Sequence, residues 1–277
     1  MAVVSLMLAG LVASQGQAIE LRYPAELGLG AVDALWEGHS VPCVRRGAVW
    51  LAVVGVDLDA KPGAHVADLT LRYDDGHTRN ASDTVTVKAR QFPTTKLTVE
   101  DRYVELSAED AARASREARE TDAIYATLTA ESYWDGPFVA PIDGAKDGRN
   151  FGHRRVFNGE SRAPHSGADL RADVGTPVHA ANRGRVVLAK DLFFSGNAVF
   201  IDHGLGFYTI YLHLSKIEVA PGALVERGQR LGLAGATGRV TGPHLHWGVR
   251  IVDARVDPFS LLKLEPAPQP AAEPASP

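Results

Sequence analysis

The sequence predicts a mainly β protein in two parts: a small β-sandwich-like domain over 19–100 and a larger, largely antiparallel β domain over 133–264, with a helical connector over 101–132. Three observations carry this. Apolar and polar residues alternate with period two in Ala67-Asp-Leu-Thr-Leu-Arg-Tyr73 and Thr84-Val-Thr-Val-Lys-Ala89, as in strands with one buried face. Short apolar runs separated by glycine turns recur through the second half. Only one long helical pattern intervenes, beginning at Ser107.

In chain order, Met1 to Ala18 carries no charged side chain and is apolar from Ala2 to Ala13. Small residues at Gly16 and Ala18 fit a cleavage site, so 1–18 reads as a secretory signal peptide that lacks the usual basic start. The apolar stretch is shorter than the roughly 20 residues needed to span a bilayer. Val49 to Val56 is a continuous apolar run. Turn residues at Lys61-Pro-Gly63 and Asp74-Asp-Gly76 separate the alternating segments and predict a hairpin in an antiparallel sandwich. His39, His65 and His77 are scattered among turn residues and form no ligand cluster.

Ser107-Ala-Glu-Asp110 opens an alanine-rich, alternately charged run to Leu128, a helix with a capping-box start and a solvated face. The strand pattern resumes at Phe138-Val-Ala-Pro-Ile142, which places the second domain's start near Tyr133. Further strands are expected at Gly184 to Leu188, Ala198 to Asp202, Phe207 to Leu212, Val219 to Val225 and His244 to Ile251. Gly196, Gly235 and Gly238 lie in loops suited to cleft walls. Residues 265–277 are proline and alanine rich with nothing to bury and are expected to be disordered.

Bulk properties narrow the function. A net charge of -4, from 29 basic and 33 acidic residues, provides no polycation for nucleic acid or anionic lipid. Cys43 is the one cysteine, so neither a disulfide framework nor a zinc ribbon is available, and it reads as a small core residue.

The chemistry concentrates in two groups, His165-Ser-Gly-Ala-Asp169 and Gly242-Pro-His-Leu-His-Trp247. On a strand His244 and His246 project to one side, and Leu245 faces the core. His165 and Asp169, with Gly167 between them, suit a bent strand or loop. Neutral imidazoles and a carboxylate suit zinc, and three protein ligands leave a fourth position for water, as in catalytic sites. Spacing alone allows either His244 or His246 as the third ligand.

At these residues the sequence resembles the lysostaphin-like (LytM-type) zinc endopeptidases that cut peptides of bacterial peptidoglycan. The likeness runs from Phe151-Gly152-His153-Arg154 through the His165 group, Gly175-Thr-Pro177, Tyr211-Leu-His213-Leu and Gly228-Gln to Thr241-Gly-Pro-His-Leu-His-Trp247 and Asp257-Pro258. It implies a lysostaphin-like antiparallel β peptidase domain, with His165, Asp169 and His246 as Zn2+ ligands and His213 and His244 as uncoordinated catalytic histidines. With an unperturbed pKa near 6.5, either can take a proton from water or donate to a developing oxyanion. No His-Glu-x-x-His helix supplies a glutamate base. Arg154 sits where the likeness places the cleft's edge, and a guanidinium suits a substrate carboxylate. His153 sits in the same stretch, with its role left open. His179, His203, Asp173 and Asp202 are expected to be structural.

The expected protein is a secreted zinc endopeptidase acting on peptidoglycan peptides outside the cytoplasm, periplasmic or extracellular, with no nucleic-acid partner. Two alternatives stand beside it. One is an inactive wall-binding or hydrolase-activating module on the same fold; the other is a zinc hydrolase of a small amide.

Overall fold

The computed structural model describes residues 10–145, 148 and 150–264, and the proline-rich tail at 265–277 lies outside them. The fold is mainly β, as expected. In the first part, a five-stranded sheet runs in the order Leu11–Ser14, Thr78–Lys88, Gly63–Tyr73, Leu29–Trp36, His39–Pro42. A three-stranded sheet of Ala18–Pro24, Val49–Gly55 and Val44–Arg46 faces it. Both contribute to one core that includes Trp36, Trp50, Leu71 and Val85, with Cys43 buried among them.

The unbroken apolar run at 49–55 has a physical reason. Trp50, Ala52 and Val54 enter this first core, while Leu51 and Val53 enter the larger core of the second part. A strand with both faces covered has no polar side to display. It therefore forms the join between the two parts. Asp57 adds an ion pair to Arg255 at 2.6 Å.

The second part is a nine-stranded sheet whose main path is Gly167–Arg171, His244–Ile251, Phe207–Ile217, Gly196–Gly204, Gly184–Leu192, Leu224–Val225, antiparallel throughout. A separate three-stranded sheet pairs Thr94–Leu97 in parallel with Arg154–Phe157, which then turns back as Glu160–Arg162. Thr94–Leu97, expected within the first domain, thus adds a strand to the second part. The helix Ala108–Tyr125 starts as expected, with the Ser107 hydroxyl accepting from the Asp110 N–H. No residue of it is buried, yet it docks: Arg113 pairs with Asp191 at 2.7 Å, Lys190 reaches Glu120, and Tyr125 stacks on Phe200.

Three expectations are corrected. Leu11–Ser14 pairs in parallel with Thr78–Lys88, Ala13 is buried, and the Asp257 N–H donates to the Gly16 carbonyl at 2.7 Å. A cut after Ala18 would strip this strand from the sheet. Residues 1–9 lie outside the described ones. Phe138 to Ile142 is irregular: Phe138 and Ile142 are buried, but Pro141 has no N–H to continue a ladder. The strand expected over 219–225 is confined to Leu224–Val225, because Pro221 and Gly222 form the turn before it. One short helix was not anticipated, Pro258–Leu261, capped by Asp257 and with proline in its first turn.

Candidate metal centre

Two neighbouring strands build the centre. Gly167–Arg171 runs antiparallel to His244–Ile251 in a register that sets Asp169 opposite His246 and Arg171 opposite His244. Alternation puts Leu245 in the core, fully buried, and turns both histidines to the other face. Gly167 is required by close approach: a Cβ there would stand 2.5 Å from His246 Nε2 and 2.6 Å from the Trp247 carbonyl oxygen.

His165 comes from the loop just before. Its N–H donates to the His153 carbonyl, and its own carbonyl accepts from Gly152. Its Nδ1 donates to the Asn150 carbonyl at 2.9 Å, which turns Nε2 inward. Nε2 lies 2.7 Å from His246 Nδ1 and 3.0 Å from Asp169 Oδ1, and His246 Nδ1 is 3.2 Å from the same oxygen.

Among the described residues, His165, Asp169 and His246 form the one group of three such side chains converging to within 4.8 Å. Ligands of a four-coordinate zinc, each at about 2.0–2.1 Å, stand roughly 3.3 Å apart, close to the spacings here. The donor chemistry agrees. Burial pushes His165 down to about 4 and lowers His246, so both rings are neutral near pH 7. With its Nδ1 proton on Asn150, His165 presents a lone pair towards a carboxylate. Burial raises the Asp169 carboxyl, but its close contacts with His165 and His246 outweigh this and hold the group well below the usual carboxylate range, so it is ionised near pH 7. Electron-rich atoms packed this closely fit a cation among them. Spacing left His244 and His246 equivalent, but geometry separates them: His244 reaches only Asp169 Oδ1, at 3.6 Å.

His213 and His244 stand beside this group, with ring centroids 4.9 Å apart and His213 6.1 Å from His246. His213 occupies a bulge in Phe207–Ile217, with φ at 66°, a backbone conformation costly for a non-glycine residue. Its N–H is held by the Ser195 carbonyl and its Nδ1 by the Thr237 carbonyl. Burial, then the neighbouring His246 and His244, push it down to about 3. The Nδ1 of His244 is similarly held by the Gly242 carbonyl. In both rings this leaves Nε2 as an acceptor.

The other expected residues fall elsewhere. His203 is fully buried between the Arg183 carbonyl and the Thr209 hydroxyl, His153 bonds Thr95, and Asp202 accepts from Thr129. Arg154 is exposed and does not line the pocket that holds His165, His213 and His246. Arg155, Arg162 and Arg239 line it instead, with Tyr103, Val104 and Leu106 from the connector. No local signal marked these. Strand alternation separates Arg155 from Arg154, but which of them faces in depends on pairing with distant chain.

The model of peptidase family M23 matches residues 163–258. A crystal structure of an M23-type protein from Pseudomonas aeruginosa is 33% identical, covers 90% of this chain and 94% of that one, and superposes with a TM-score of 0.64. The chain belongs to peptidase family M23. Among curated relatives, the peptidoglycan DD-endopeptidase ShyA of Vibrio cholerae is 52% identical over 99 residues, 35% of this chain. The DD-carboxypeptidase/endopeptidase Mpg of Neisseria meningitidis is 43% identical over 97 residues, also 35% of this chain. These stretches span only 23% and 22% of the relatives' own lengths.

Proposed function

We propose that this M23 chain is a zinc endopeptidase that hydrolyses peptide cross-links of peptidoglycan, outside the cytoplasm. The observation that carries the reading is the convergence of His165, Asp169 and His246 within 4.8 Å, beside His213 and His244. The DD-endopeptidase relatives support the substrate class. No helix among the described residues is long and apolar enough to cross a membrane.

In this reading His165, Asp169 and His246 hold zinc, and the short loop hydrogen bonds behind them orient the donors. Bound there, zinc supplies Lewis acidity towards water and the scissile carbonyl. His213 and His244 each present an acceptor Nε2, because their Nδ1 protons are committed to backbone carbonyls. One takes the proton of the attacking water; once protonated, an imidazole donates to the developing oxyanion or the leaving amine. The inactive-module alternative loses ground because all five side chains are present and gathered. Digestion of purified peptidoglycan with the zinc-loaded protein, read by mass spectrometry, tests the reading. Released cross-link fragments support it. An unchanged polymer, together with cleavage of small soluble amides, would overturn it.

A further inference from the structure

The pocket beside the metal centre carries more positive charge than the proposed chemistry uses. Arg155 extends from the strand Arg154–Phe157 and Arg162 from the strand paired with it, directly opposite in register. Arg239 approaches from the other side. It follows Gly238, at φ 74°, where a Cβ would stand 2.3 Å from the Gly196 nitrogen; the two loops meet only because both positions are glycine. The Arg239 N–H then donates to the Phe194 carbonyl at 2.9 Å. Its guanidinium carbon lies 4.4 Å from the Phe194 ring centroid and 4.6 Å from that of Phe157.

The three guanidiniums are not equally served. Arg155 meets Asp169 at 3.3 Å and Arg162 meets Glu160 at 2.5 Å. Arg239, held between two phenyl rings, has no carboxylate or side-chain hydrogen-bond partner among the described residues. Burial, with repulsion from Arg155 and Arg162, pulls it down to about 10, so it remains a cation near pH 7. A half-buried planar cation with idle donors, next to two like charges, is stabilised by an incoming anion, and a carboxylate matches its fork.

We propose that Arg239, supported by Arg155 and Arg162, is a carboxylate-binding subsite that seats a free carboxylate of the peptide substrate next to the bond being cut. This rests on the endopeptidase reading and names its substrate class. The site favours cross-links in which the carbon bearing the leaving amine also carries a carboxylate, as in a D-alanyl–diaminopimelate link, over a neutral glycine bridge. Arg239 seats the peptide and takes no part in proton transfer.

Two synthetic cross-linked peptides test this, alike except that the carboxylate beside the scissile amide is free in one and a carboxamide in the other. Each is given to the zinc-loaded wild type, Arg239→Gln and Arg239→Lys, with zinc content and melting curves confirming intact protein. The wild type should prefer the acid by about 10- to 100-fold in kcat/KM, the span of a charge-assisted hydrogen bond. Arg239→Gln should lose that preference by slowing on the acid alone, and Arg239→Lys should recover part of it. Calorimetric binding of the acid and amide cleavage products gives a second readout that needs no turnover. Equal binding of the two products by the wild type, or an acid preference unchanged in Arg239→Gln, overturns the subsite. If no peptide is cut but the wild type alone binds the acid product more tightly, the subsite stands and the endopeptidase reading fails.

Discussion

Asp169 and His246 are direct cross-strand partners, and Asp169 Oδ1 lies 3.2 Å from His246 Nδ1. A one-residue slip would turn one of them into the core, so the strand register itself brings the two side chains together. His165 joins from the adjoining loop, 2.7 Å from His246 Nδ1.

His165→Ala or Asp169→Asn should abolish stoichiometric zinc, read by metal analysis after dialysis. His213→Ala and His244→Ala should keep the metal and lose about 10²- to 10⁴-fold in turnover. Zinc loss in His244→Ala alongside zinc retention in His246→Ala would reverse the assignment of the two.

Gly167→Ala should weaken zinc binding without replacing a proposed ligand. The added methyl would enter within 2.5 Å of His246 Nε2 and 2.6 Å of a backbone oxygen, and only the ring is free to move. Competition with a chelator of known affinity measures the loss; unchanged affinity would show that the sheet absorbs the methyl.

Acid should destabilise the fold through His203. Burial lowers this histidine from 6.5 to about 4, in contact with the Phe138 and Phe207 rings. Below about pH 6.5 the unfolded chain takes up a proton that the folded chain refuses, so stability falls as pH drops from there to about 4, by roughly 3 kcal/mol in full. Urea unfolding at pH 7 and pH 4.5 should show a smaller loss for His203→Gln than for the wild type. Equal losses would place the acid sensitivity on other groups.

A chain beginning at Ala130 lacks Thr94–Leu97, Tyr103, Val104 and Leu106, hence one wall of the pocket. It also uncovers Phe157 and Phe193, which pack with Tyr103. We expect a lower melting temperature together with faster peptidoglycan digestion at equal zinc occupancy, the result of an opened cleft. Equal or slower digestion would make the segment a positioning wall instead of a restraint.

What the sequence determined by itself is local. Alternation over His244-Leu-His246 set two imidazoles on one face, Ser107 marked a helix start, and glycine-punctuated apolar runs announced a β protein. Such signals span a few residues and depend on which face is wet. The Asp257-Pro258 pair is an equally local helix start, but the helix it begins is only four residues long and leaves no periodic pattern in the sequence. The tertiary structure decided what depends on pairing between distant segments. Register set His246, and not His244, opposite Asp169, parallel pairing drew Thr94–Leu97 into the peptidase part, and Leu11–Ser14 became a sheet strand where a leader was expected. Arg239 shows the same limit most plainly. Nothing near it in the chain distinguishes it from an exposed arginine; two glycines 42 positions apart let its loop meet Phe194 and bring its charge to the metal centre.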